Sequence, residues 1–428
     1  MNKRLGDFTL RNLMIVYVIV YTIMPIVQRL TSRFLTAYFY MAVVVALVVL
    51  TLVLDRPENL SLYGTFLLPF IIYELLSAFN MSEDFLMWSY QVLLFLLPVI
   101  LGYYFTQDKT RLIDSYSKIV FFALAITTVT TIIGCIRFPN AARELALVES
   151  QDSNAIQYDM HNIGGYGFVY TIVLLYPAII LSYKERRIKL ITALLFAVVI
   201  LLMIVFSEYT IALLFFIISS MLFFTKRNLS FRSIIIASVI AILFLLVFTN
   251  FIPDFLRWLG EISGSKTMGS RLDALAGGRE GLENSEDTRV LLYQKSWNSF
   301  LQHPIFGSLF EKEKINGAHS FIIDNLALYG IFGGVIMFFM YRNIFKRFFL
   351  PYKDKPGYGY IVWIFIQTLI LSLVNTGMWL DVLCLFVPIW LHWIYGNETE
   401  TEEVNDEAAV DSQLTPGASG GEAIRTTE

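Results

Sequence analysis

Charge is what this chain has least of. Only 16% of its 428 residues are Asp, Glu, Lys or Arg, against about a quarter in an ordinary soluble domain. With 56% hydrophobic residues and a mean hydropathy of +0.62, there is too little polar surface to cover a water-soluble globule of this size. Cysteine is nearly absent. Cys135 and Cys384 both fall in or beside apolar runs far apart in sequence, which excludes a disulfide framework or a cysteine metal site and leaves small packing residues. No Gly-x-x-x-x-Gly-Lys-[Ser/Thr] loop occurs, and no His-Glu-x-x-His or Asp-x-Asp; Gly-x-Ser-x-Gly occurs only as Gly417-Ala418-Ser419-Gly420-Gly421 in the polar tail, outside any apolar run that could place it on a strand. A phosphate loop for ATP, a zinc protease helix, a metal-chelated nucleotide-sugar site and a serine elbow are therefore all unsupported, and neither metal nor cofactor is expected. A net charge of −3 gives no basic footprint for nucleic acid. There is no internal repeat and no heptad seam.

What the chain does have is apolar runs. They cover residues 13–27, 35–54, 62–79, 85–105, 119–136, 166–183, 188–206, 211–224, 234–251, 321–341, 360–376 and 378–395, and most approach the roughly 20 residues needed to cross a bilayer as a helix. The expected fold is an all-α polytopic membrane protein of about twelve transmembrane helices. The run 211–224 is short and reads as tilted or partly re-entrant. Lys3, Arg4 and Arg11 precede the first run without a small-residue cleavage site, so that run reads as a retained helix.

Orientation follows from the side on which Lys and Arg gather. Alternate threading puts Lys109/Arg111/Lys118, Lys184/Arg186/Arg187/Lys189, Lys226/Arg227/Arg232 and Arg342/Lys346/Arg347/Lys353/Lys355 on the side of Lys3 and Arg4. That side is expected to be the cytoplasm, with both termini in it and the protein in a bacterial inner membrane. The short outer loop holding Arg29 and Arg33 runs mildly against the rule. The chain then divides into helices 1–9 over 1–252 with an outer loop near 137–165, a large outer loop over 253–319, helices 10–12 over 320–396, and an acidic tail over 397–428 too poor in large apolar residues to fold. Within the large loop, Val290, Tyr293, Trp297 and Phe300 recur at helical spacing. They predict an interfacial helix over 287–300, opened by Glu286 and Asp287, ended by Pro304, and carrying Trp297 at the membrane surface.

Polar residues converge on the outer side. Glu74, Glu208, Asp324, Asn325, Asn375 and Asp381 all fall within about two turns of it under this threading, as do His161, His303 and His319, whereas His392 lies toward the cytoplasm. An imidazole can exchange protons near neutrality. His319 stands where the large loop re-enters the membrane. Arg257, Arg271, Arg279 and Arg289 lie in the same loop, and a guanidinium grips phosphate with a planar, permanently charged fork.

One stretch, DTRVLLYQKSWNSFLQHPIFGSLFEKEKINGAHSFIIDNLALYGIFGG from Asp287 to Gly334, resembles the bacterial O-antigen polymerase and O-antigen ligase superfamily. That family shows an Arg, an aromatic helix, Pro and Gly, then a His opening a helix with glycines a few turns on. Here these match Arg289, Trp297, Pro304, Gly307, His319, Gly330 and Gly333. Gly269-Ser270-Arg271-Leu272 is similar to the family's approach to this segment, and His161-Asn162-Ile163-Gly164 is a weaker echo. The chain departs at Ser207-Glu208, where many members carry Ser-Arg. The family's layout, a large periplasmic loop between membrane helices in the C-terminal half, agrees with the threading above and is GT-C-like.

The resemblance implies a metal-independent, inverting glycosyltransferase at the periplasmic face, whose donor is a glycan on undecaprenyl diphosphate. In a polymerase the acceptor is another lipid-linked repeat, and a chain-length regulator is a further partner. In a ligase it is a lipid A core or a protein. His319 would take or orient the acceptor proton and Arg289 would steady the leaving diphosphate, with Arg271, Arg279, His161, Asp324 and Glu208 as substrate-binding candidates and Asp324 or Glu208 as reserve base. A lipid-glycan flippase or other transporter is the alternative of another class. It would favour internal repeats and midplane polar groups, and neither is found.

Overall fold

The computed structural model describes residues 10–35, 37–53, 60–78, 85–107, 113–139, 141–145, 153–225, 288–311 and 317–396. The expected span 234–251, the loop up to residue 287 and the tail from 397 lie outside them. Every described element is helical, and no strand occurs among the described residues. In chain order the helices are α1 (Leu10–Ile23), α2 (Pro25–Phe34), α3 (Ala37–Val53), α4 (Leu60–Ala78), α5 (Phe85–Gln107), α6 (Ile113–Arg137), α7 (Ala141–Glu144), α8 (Ser153–Met160), α9 (Tyr166–Lys184), α10 (Leu190–Ser207), α11 (Thr210–Ser220), α12 (Thr288–Gln302), α13 (Phe321–Ile344), α14 (Tyr358–Val374) and α15 (Asp381–Gly396).

Among the described residues, four helices are long and apolar enough to cross a membrane, or up to five if the bent pair α1–α2 counts as one. The other apolar helices are shorter. Outward faces of the long ones are oily. On α6, Phe122, Val129, Ile133 and Ile136 are exposed, and on α10 so are Ile191, Leu194, Leu195, Val198 and Leu202. Such stripes recur at helical spacing on the side away from the core. In water they would form an apolar patch far larger than soluble monomers carry, and against lipid tails they cost nothing. Apolar helices turned outward in this way are those of a membrane protein.

α13 runs from Phe321, beside His319, to Ile344, and contacts along it to α4 (Tyr73 with Asn325, Phe66 with Asn343) mark two ends of the packed helices. At one, Arg187 on the α9–α10 turn donates to the Ile394 carbonyl (2.8 and 2.5 Å), and Lys184 Nζ donates to the carbonyls of Phe223 and Thr225 (2.8 and 2.9 Å). The Arg11 and Arg347 guanidinium groups sit over Tyr104 and Tyr103 there. Cations at the C-terminal ends of α9 and α15 oppose the negative pole of the helix dipole. At the other end the Phe321 amide donates to the Asn375 carbonyl (2.8 Å), Tyr293 to that of Val374 (2.8 Å) and Tyr73 to Asn325 Oδ1 (2.9 Å). His319 lies at this second end.

Two elements differ from the sequence reading. The run 13–27 is not one helix: α1 stops at Ile23 and α2 leaves at 114°. Pro25 has no N–H to give the preceding turn, but it suits the first turn of a new helix. Arg29 and Arg33 therefore ride on a separate amphipathic helix that packs on α8. The helix expected at 287–300 spans Thr288–Gln302, but its buried stripe is Ser296 and Ser299, while Trp297 remains 47% exposed.

Glycine fixes how α12 meets α13. After α12 the chain makes an elbow at Pro304–Phe310 that docks into a break in α13. Gly330 there adopts φ +64°, ψ −157°, frees the amides of Ile331 and Phe332, and these donate to the carbonyls of Pro304 and Ile305 (2.8 and 3.1 Å). A Cβ on Gly330 would collide with the Ile305 backbone. Gly330→Ala is therefore expected to cost at least about 2 kcal/mol, from left-handed strain plus collision. A thermal melt of the detergent-solubilised variant superimposing on wild type would refute this.

Candidate functional site

The turn that carries His319 is built by one carboxylate. Ser320 caps α13, its Oγ accepting from the Ile323 amide (3.0 Å). Asp324, one turn into the helix, reaches back so that its Oδ2 accepts the amides of His319 (2.7 Å) and Ser320 (2.8 Å). Its Oδ1 accepts the Ser296 hydroxyl from α12 (2.5 Å), and Ser296 Oγ in turn accepts the Gly317 amide (2.6 Å). Asp324 is only 6% exposed and Ser296 is fully buried. An acid at a helix N-terminus also meets the positive pole of the dipole. Both Asp324 oxygens are thus committed to protein donors, and the residue acts behind the surface by setting the loop.

What the loop presents is the His319 ring, half-buried after Ala318 in left-handed conformation (φ +55°). Nδ1 lies 2.6 Å from the Ala318 carbonyl oxygen. That contact is satisfied when Nδ1 carries the proton, which leaves the Nε2 lone pair as acceptor. An imidazole so fixed can take a proton from a hydroxyl placed at Nε2.

The other expected site residues fall as follows. Arg289 lies in the first turn of α12. Arg271 and Arg279 lie outside the described residues. His161 is exposed beside Phe138 (ring centroids 5.2 Å). Its neighbour Asn162 (φ +55°) is the structural partner, donating to Thr127 and Thr130 of α6 (3.1 and 3.0 Å) and accepting from the Ile26 amide (3.3 Å). Glu208, in left-handed conformation at the α10–α11 turn, is 2% exposed and lies 4.0 Å from Arg143 of α7. Thus Asp324 joins His319, whereas Glu208 joins Arg143. Tyr209, next to Glu208, donates to the Ala142 carbonyl (2.8 Å) and packs on Tyr166 and Tyr170 (5.6 Å each).

Those tyrosines border a feature that sequence reasoning did not assign. A cavity of about 380 Å³ lies between α1, α2, α8, α9 and α15, lined among others by Gln28, Asp159, Tyr166, Trp379 and Asp381. A second, of about 280 Å³, opens on α3 and α5, lined by Tyr21, Tyr40 and Pro98, and shares Thr22, Gln28 and Asp381 with the first. Trp379 (φ +58°) lies 6.0 and 5.6 Å from Tyr166 and Tyr170. From Asp381 the helix is a π-turn through Phe386, a form enriched at functional sites. Burial pushes the Asp159 carboxyl up, and nearby Arg29 offsets part of that. Among the described residues no group of three metal-ligating side chains occurs. In the sequence, Asp381 stood out only as one polar residue near the outer side, and the Gly377–Asp381 run gave no sign that Trp379 would pack on the start of α9. No protein-family model matches the chain, and no curated protein matches it.

Proposed function

We propose that this protein is a glycosyltransferase of the bacterial inner membrane that polymerises oligosaccharide repeats carried on undecaprenyl diphosphate, working at the periplasmic face. The observation that carries this reading is the His319 imidazole, half-exposed and fixed through Asp324 with its Nε2 available at one end of an apolar helix bundle. Segregation of charge supports the orientation: the Lys184–Lys189 and Arg342–Lys355 segments lie at the opposite end, the pattern expected if His319 faces away from the cytoplasm. The full architecture in this reading is about twelve spans, with the large loop joining the ninth and tenth.

The reaction needs few groups. The acceptor hydroxyl oxygen attacks the anomeric carbon of the donor sugar while the bond from that carbon to the diphosphate oxygen breaks, with inversion. The hydroxyl proton passes to His319 Nε2. Undecaprenyl diphosphate leaves with the bonding electrons, and its growing charge is met by Arg289 together with Arg271 or Arg279. No nucleotide sugar enters, in keeping with the absence of Asp-x-Asp and phosphate-loop motifs.

The test is the size profile of surface glycans from host cells with and without this chain. The expected result is collapse of a long ladder to a single repeat on the acceptor. Long chains that persist on the carrier lipid and never reach the acceptor would reassign the protein as a ligase, and an unchanged profile would remove it from glycan assembly.

A further inference from the structure

We infer that the two-lobed cavity around Asp381 is a subsite for an uncharged sugar ring of the acceptor glycan, and that it turns acidic sugars away. This rests on the glycosyltransferase reading above and adds to it the class of sugar. Neither lobe contains His319, Arg289 or any other group placed in the transfer step.

Size is the first argument. The larger cavity, about 380 Å³, falls in the range of small-ligand sites, and the smaller, about 280 Å³, shares Thr22, Gln28 and Asp381 with its lining. The second is unspent hydrogen-bonding capacity. Asp381 accepts from no described residue although it lines both cavities, and the buried indole N–H of Trp379 meets no acceptor among the described residues. Buried polar groups left in this state are costly unless a ligand or water completes them. Gln28 spends its amide N–H₂ on the Tyr21 carbonyl (2.9 Å), leaving its oxygen as a further acceptor. The wall thus offers acceptors at Asp381 and Gln28 and a donor at Trp379, which suit the hydroxyls of a polyol, each able to donate and accept.

The third argument is the pairing of flat aromatic walls with carboxylates. Trp379 and Tyr166 line the larger lobe, and Tyr21 stacks on Tyr40 at 3.6 Å beside the smaller. Aromatic faces take the C–H face of a ring, while carboxylates take its hydroxyls. Charge then selects among sugars. The lining holds Asp381 and Asp159 but no Lys or Arg; Arg29 acts on Asp159 from α2. A uronic or sialic carboxylate entering beside Asp381 would meet like charge at low dielectric.

The experiment uses the full chain in nanodiscs with methyl glucoside, methyl N-acetylglucosaminide and methyl glucuronide as probes. It is read by saturation-transfer NMR and by tryptophan fluorescence titration. The two neutral glycosides are expected to bind and the glucuronide to fail. Asp381→Asn should weaken the neutral glycosides about ten-fold or more, the cost of losing a charged hydrogen-bond acceptor, and should admit the glucuronide. Trp379→Phe and Gln28→Ala, each checked for an unchanged melt, should weaken the neutral probes as well. They decide the matter if Asp381→Asn does not fold. Absence of saturation transfer from any neutral probe, equal binding of the glucuronide, or wild-type affinity in the folded variants would overturn the proposal. Binding is measured without turnover, so an unchanged glycan profile in the host would sink the transferase reading and leave this result standing.

Discussion

His319→Ala is expected to lower glycan transfer by about 10²- to 10⁴-fold, the usual loss when a positioned acid–base group is removed, while the melting curve stays at wild type. The two halves of that expectation have separate causes. The imidazole is half-exposed, and its hydrogen bond among the described residues is to the Ala318 carbonyl of its own loop, so its removal leaves no described buried donor without a partner. The backbone of His319, which Asp324 holds, is unaltered by the substitution. The measurement is single-turnover transfer from a purified lipid-diphosphate-linked repeat, with insertion verified by the melt. Full activity in a well-inserted variant would end the assignment. His319→Gln should rescue little, because an amide cannot accept a proton at neutral pH.

Asp324→Ala should act first on folding. It removes the acceptor for three donors at once: the amides of His319 and Ser320 and the hydroxyl of Ser296. Hydrogen bonds to a charged group contribute about 1.5–3 kcal/mol each, and orphaned buried donors add their desolvation cost. Allowing for non-additivity, a loss of at least about 3 kcal/mol is expected. Asp324→Asn keeps one acceptor oxygen and should lose about half as much. In the protein that still folds, transfer should also fall, because the loop that aims His319 has lost its anchor. A double-mutant cycle separates this positioning role from direct chemistry: adding Asp324→Asn to His319→Ala should cost almost no further activity. Additive losses would mean that Asp324 acts on the substrate by its own route.

Much of this arrangement could be read before the structure, for identifiable reasons. The apolar runs are long, so the helical class and the positions of the described apolar helices follow from hydropathy alone. The glycines at 307 and 330 were visible as a pattern, but their purpose was not. It is the mutual docking of an elbow and a broken helix, and backbone contact between segments more than twenty residues apart leaves no periodic trace. The helix at 288–302 was found by its aromatic spacing, yet its inner face is the serine stripe. Ser296 is buried there because it supplies both a donor to Asp324 and an acceptor for Gly317, while Trp297 stays on the outer side, where the sequence had placed it. Asp324 itself read as a ligand group. Only in three dimensions are its two oxygens seen to be occupied.

The sequence by itself determined the helical class of this protein and the apolar character that lets some of its helices cross a membrane. These depend on sums over many residues, and no single contact can reverse them. It also singled out His319, through residues adjacent along the chain. The tertiary structure alone decided which polar groups meet. It spent Asp324 on the His319 loop, set Glu208 against Arg143, split the first apolar run at Pro25, and gathered Gln28, Asp159, Trp379 and Asp381 around one cavity from three separate helices and a turn. Hydrogen bonds and ring contacts act over a few ångströms, and nothing in a linear pattern states which residues a fold will bring within that distance.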